Sequence, residues 1–119
     1  MKRARIAMAG VIVASVGAGT VHAAPSLSPP AALTVGSQLY QAACAYCHGV
    51  QGQGNVRLSA PRLWGTGNAV SGSAYGSLTS LTQFIAHNMP LEPVNGINPG
   101  SLSPMQAKSL AQYILHQGG

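Results

Sequence analysis

The 119-residue sequence has two cysteines, separated by two residues and followed directly by a histidine: Cys44-Ala45-Tyr46-Cys47-His48. Thiols at this spacing can each form a thioether to a vinyl group of one haem, and the adjacent histidine is then held near enough to the iron to be its proximal ligand. Two other chemistries use paired cysteines. A thioredoxin-like redox pair belongs at a strand-to-helix junction, and no strand pattern precedes Cys44. A structural zinc site needs four ligands; past the first two dozen residues the chain offers only His87 and His116 besides the motif. Covalent haem is the chemistry that the residue types support.

The sixth iron position has four candidate ligands, Met89, Met105, His87 and His116, or it stays open. Met89 is the best placed. It lies between helical patterns, and Pro90 disfavours helical backbone at the residue before it, so the thioether can turn inward. Met105 falls in the first turn of the last helix, where methionine commonly fills core gaps. His87 and His116 stand near helix ends and read as surface groups. A His/Met pair raises the reduction potential and leaves no open site, which suits electron transfer.

A backbone carbonyl in the loop after the motif can take the other ring nitrogen of His48, and Pro61 is a candidate by position. Arg62 and Trp64 carry donors suited to a haem propionate, although plain packing suits Trp64 equally. Gly36 and Tyr113 lie on the first and last helical patterns, where a glycine permits a close crossing with an aromatic ring against it.

These residues need elements to place them, and the chain reads as all-α: three to four helices with long loops around one buried haem. Residues 1–23 read as a signal peptide, with basic Lys2, Arg3 and Arg5, an uncharged apolar stretch from Ile6 to Gly19, and cleavage after Ala23 or Ala24. The apolar run is shorter than the roughly 20 residues a membrane-spanning helix needs, so the mature form is expected to have no membrane span and to reside in the periplasm. Residues 24–33 form a Pro-rich linker, expected to be extended. The domain covers 34–119, with helical patterning from Thr34 as N-cap to about Cys44 on Val35, Leu39, Ala42 and Ala43. Residues 49–77 read as loop, acceptable at this length because it can pack on the cofactor. A second helix spans about Thr79 to His87, and 91–100 is again loop. The last helix has Ser103 as N-cap, Pro104 at its first position, Gln106 completing a capping box, and Gly118 beyond its end. Its stripe is Leu110, Ala111, Ile114 and Leu115.

The formal charge of +5 from six basic residues and one acidic residue mostly describes the leader. Beyond it stand Arg57, Arg62 and Lys108 against Glu92, a near-neutral set once two haem propionates are added. No basic run remains to bind nucleic acid.

With Cys44-Ala45-Tyr46-Cys47-His48, Ala60-Pro61-Arg62-Leu63-Trp64-Gly65, Asn88-Met89-Pro90 and Pro99-Gly100-Ser101-Leu102-Ser103 ahead of a Tyr113-Ile114-Leu115 helix, residues 34 to the end resemble class I c-type cytochromes. Within that class the Phe84-to-Leu91 segment and the approach to the last helix are similar to the monohaem cytochrome subunits and domains of periplasmic sulfur-oxidising systems, such as those acting on thiosulfate or sulfite. The resemblance implies a small cytochrome c fold whose first and last helices cross, one haem c, His48 and Met89 as axial ligands, and electron delivery to a dehydrogenase subunit, another cytochrome or a terminal oxidase. Two departures bear on the partner: the Arg57-Leu58-Ser59-Ala60 lead-in to Pro61, where glycine is frequent, and the absence of a lysine ring. The expected function is single-electron transfer, as a carrier or a complex subunit, with no catalysis by the domain alone. The alternative is a haem enzyme or gas sensor with an open sixth position. It would have only Glu92 as a carboxylate side chain for acid–base work.

Overall fold

The computed structural model describes residues 27–119, so the expected signal peptide and the first three residues of the expected linker lie outside the described residues. The order is α1 (Pro29–Ala43), α2 (Ala45–His48), a single 3-10 turn (Val56–Leu58), α3 (Leu78–Asn88) and α4 (Pro104–Gln117). The described residues contain no strand, only two isolated bridges, Asn55 with Ala60 and Val94 with Ile97. The all-α expectation holds.

α1 begins five residues ahead of the expected Thr34, inside the segment read as an extended linker. Pro29 and Pro30 occupy its first positions, where the missing N–H costs nothing because the first amides of a helix have no intrahelical acceptor, and where proline's fixed φ already suits the helix. Thr34 is therefore an interior residue, its hydroxyl donating back to the Pro30 carbonyl at 3.1 Å. The buried face of α1 also differs from the expected one: Ala32, Gly36, Tyr40 and Ala43 are buried, while Val35, Leu39 and Ala42 flank them half-buried. Ranking by apolarity selects the larger side chains, whereas a close helix crossing selects the smallest.

α4 lies against both α1 and α3. Its capping box is present as expected, with the Ser103 hydroxyl accepting from the Gln106 amide at 3.1 Å and Gln106 Oε1 accepting from the Ser103 amide at 2.8 Å. The stripe Ala107, Leu110, Ala111 and Ile114 is buried at helical spacing, and it meets Leu81 and Ile85 of α3, Tyr40, Val70 and Leu102 in one core. Leu115 is only half-buried at its margin.

At the α1–α4 crossing a Cβ on Gly36 would stand 2.7 Å from Tyr113 Cβ and closer still to the Ser109 carbonyl oxygen. Tyr113 rests against α1 through Tyr40, ring centroids 5.5 Å apart, so the glycine–aromatic crossing read from the sequence is present. Gly36→Ala is expected to destabilise the haem-loaded protein by about 1–3 kcal/mol through overpacking, and Gly36→Val by more, as measured by denaturant unfolding. Unchanged midpoints would mean that the helices are not in contact there.

Candidate haem site

Cys44 ends α1 and immediately begins α2, so the motif is one continued helical turn. The Cys44 carbonyl accepts from the amides of Cys47 at 3.1 Å and His48 at 2.8 Å. Residues three apart on such a turn share a side, which presents both thiols together. Both cysteines are free and half-buried. Burial, with the neighbouring Cys47 adding to it, pushes the Cys44 thiol up to about 12. A disulfide-exchanging pair needs the opposite, a thiolate stabilised at neutral pH. No group of three or more His, Cys, Asp or Glu side chains able to hold a metal ion assembles among the described residues, so the zinc alternative has no ligand set there.

His48 is buried, and its Nδ1 lies 2.8 Å from the Pro61 carbonyl oxygen. A carbonyl can only accept, so Nδ1 carries the proton and Nε2 keeps its lone pair for a metal. The loop between them is built to make this contact. Asn55 and Ala60 exchange backbone hydrogen bonds at 2.8 and 3.0 Å, and the Gly54 amide donates to the His48 carbonyl at 2.7 Å. The Asn55 side chain caps the short 3-10 turn by accepting from the Arg57 amide at 3.0 Å. Gly52, at φ +61°, lies under the Trp64 indole, where a Cβ would sit 2.5 Å from the ring.

Trp64 joins Tyr40 and Tyr113 in an aromatic cluster, its centroid 5.2 and 5.9 Å from theirs. Tyr40 is fully buried and donates its hydroxyl to the Gly49 carbonyl at 2.7 Å, bracing the residue after His48. Sequence reasoning passed over Tyr40, although its place four residues before Cys44, one turn away on the same side, is a legible signal. Arg62 is exposed.

Met89 stands just past α3 with extended backbone, φ −106° and ψ 149°, half-buried against the core. Met105 is 42% exposed, and His87 and His116 are exposed as expected. Asn95, also passed over in the sequence, donates its side-chain amide to the Ala42 carbonyl at 2.7 Å.

These groups fit a haem. The donor set comprises two adjacent thiols, an imidazole with Nε2 free of its own hydrogen bond, and a thioether on a separate loop. Cys44, Leu63, Ala86, Met89 and Ile97 are apolar yet only part-buried against the core, the kind of surface that a flat macrocycle covers. One buried side-chain oxygen among the described residues, the Thr82 hydroxyl, lacks a partner, and it lies roughly two turns before Met89.

The family model for cytochrome c matches residues 33–118. The chain belongs to the cytochrome c family. Its Cys-Ala-Tyr-Cys-His motif holds one covalent haem c, and a cytochrome c domain carries electrons. Residues of this chain are 34% identical over 84 positions to a thiosulfate dehydrogenase of Allochromatium vinosum, covering 67% of this chain and 29% of the relative. A thiosulfate dehydrogenase of Thiomonas intermedia is 34% identical over 82 positions, covering 66% and 24%. Among solved structures, a thiosulfate dehydrogenase (TsdBA) from Marichromatium purpuratum superposes with a TM-score of 0.57 at 36% identity, over 76% of this cytochrome and 19% of that chain. The cytochrome thus spans less than a third of the length of these relatives.

Burial above all raises the Tyr40 phenol well above its ordinary value near 10, and this cause persists once haem attachment has turned the Cys44 thiol into an uncharged thioether. The folded state needs the neutral form. Its contribution is therefore complete below pH about 10 and is lost as the pH rises beyond that value. Stability of the haem-loaded protein is expected to fall above pH 10 by up to about 1.4 kcal/mol per pH unit. Tyr40→Phe is expected to lose about 1 kcal/mol at neutral pH and to show a shallower alkaline decline. Denaturant unfolding at pH 8 to 11 measures both, and a full alkaline slope in Tyr40→Phe would assign the effect to another group.

Proposed function

We propose that this cytochrome is a one-electron relay in the oxidation of an inorganic sulfur compound, thiosulfate foremost, working in the periplasm with His48 and Met89 as axial ligands. The observation that carries the ligand assignment is the placement of Met89: half-buried, released from α3 into extended backbone, while its competitors Met105, His87 and His116 are exposed. When bound, the haem supplies an iron that alternates between ferrous and ferric states. The residues that would hold that iron are His48, its ring fixed by the Pro61 carbonyl, and Met89, delivered by the end of α3. Arg62 and Trp64, which flank Leu63, are assigned to the carboxylate edge of the haem, Arg62 through its exposed guanidinium and Trp64 through its indole N–H.

The sulfur assignment rests on the thiosulfate dehydrogenase relatives, and the relay role rests on what this domain holds. Glu92 is the only carboxylate side chain in the sequence, leaving little with which to handle protons or bind an anionic substrate at the metal. The partners that fit are a dehydrogenase subunit as donor and another cytochrome or a terminal oxidase as acceptor. No helix among the described residues is long and apolar enough to cross a membrane.

Met89→Ala is expected to retain covalent haem, lose the near-infrared band of sulfur-to-iron(III) bonding, and have a lower reduction potential. Absorption spectroscopy and redox titration read these effects, and an unchanged band would make Met105 the ligand. In stopped-flow mixing with a thiosulfate dehydrogenase and thiosulfate, the ferric protein is expected to be reduced at a rate that changes less than about threefold between low and physiological salt, because so few charges are available for steering. A steep salt dependence, or no reduction, would contradict this role.

A further inference from the structure

The loop that follows Met89 is tied to the helix that carries the haem attachment. Asn95 Nδ2 donates to the Ala42 carbonyl at 2.7 Å between residues 53 positions apart. Ala42 lies in the last turn of α1, where the carbonyls have run out of intrahelical donors, and Cys44 follows two residues later. The bond therefore joins the segment holding the thioethers directly to the segment that begins at Met89.

The local backbone is built to deliver this amide. Val94 and Ile97 exchange hydrogen bonds at 3.0 and 2.8 Å, closing a tight turn whose two central residues, Asn95 and Gly96, have φ of +49° and +79°. Asn-Gly is the pair that such a turn favours, since asparagine tolerates the left-handed region and glycine enters it freely. The turn fixes the direction of the asparagine side chain, and α1 presents a carbonyl that requires a donor.

We propose that Asn95 is a positioning residue for the distal ligand: its amide clasps the Met89 loop to α1 and keeps the thioether on the iron. This rests on Met89 being that ligand. The clasp opposes opening of the loop, so breaking it raises the fraction of molecules in which an added ligand can displace the sulfur.

The test is displacement of the near-infrared sulfur-to-iron(III) band by imidazole in ferric, haem-loaded Asn95→Asp and Asn95→Gly. Both substitutions tolerate the left-handed backbone, and neither side chain can donate to the carbonyl. Each is expected to keep the band without imidazole and to lose it at about threefold to tenfold lower imidazole concentration than the parent, the factor that one hydrogen bond provides. Midpoints within twofold of the parent overturn the clasp, as does a shift in one variant alone, which would reflect charge or backbone freedom. A parent lacking the band removes the Met89 reading and the clasp with it, whereas a parent with the band and unmoved variants removes only the clasp. A purely structural asparagine would lower the thermal midpoint and leave the imidazole midpoint where it was.

Discussion

The hydrogen bond from His48 Nδ1 to the Pro61 carbonyl, 2.8 Å long, is the constraint on which the remainder of the site depends. An imidazole can serve a metal through Nε2 only if Nδ1 is protonated and the ring is held at one angle. The two thioethers fix where His48 begins but not how its ring turns. That second task falls to the polar backbone of residues 49–61: the Asn55–Ala60 pair, the Gly54 amide on the His48 carbonyl, and the Tyr40 hydroxyl on Gly49. A loop with one helical turn in it is thus a built part of the iron site. It is also tied to the main helices, because Tyr40 of α1 and Tyr113 of α4 close on Trp64, which covers Gly52.

The proposed distal side of the haem is made from different parts. α3 is held to α4 by Leu81 and Ile85, and it ends where Pro90 forces Met89 out of helical geometry. What lies between α3 and α4 has few large side chains of its own, so its position depends on turns and on single hydrogen bonds. The two proposed axial ligands therefore differ in how firmly they are held: the histidine by a network, the methionine by the end of a helix and a short loop. Charge is sparse as well: Arg57, Arg62, Lys108 and Glu92 are the charged side chains of residues 27–119, which leaves little long-range field with which to steer an encounter.

Much of this was legible in the sequence where a side chain's identity is itself the signal. The haem motif, the Ser103–Gln106 capping box, the break at Met89-Pro90 and the Gly36–Tyr113 crossing each depend on a residue type at a fixed spacing. Features carried by the backbone were harder to read. Pro61 could be proposed by position, but the contact is made by its carbonyl, which every residue has. The start of α1 lies at Pro29 rather than Thr34 because prolines, which break a helix interior, suit a helix start, and sequence alone does not say which position they hold. The buried face of α1 is hard to read because Gly36 and the alanines pack closest while Val35 and Leu39 are the more apolar side chains. The Asn95 contact leaves no local sequence signal, because its partner lies 53 positions away.

The central claim is that the iron is six-coordinate and closed to exogenous substrate, so that the protein moves electrons and does nothing else at the metal. Carbon monoxide binding to the ferrous protein at neutral pH tests it most directly. The account predicts no rapid binding, with the reduced spectrum unchanged over the time of mixing. Fast, stoichiometric formation of a carbon monoxide complex would contradict it and would make an open-site enzyme or sensor the better description.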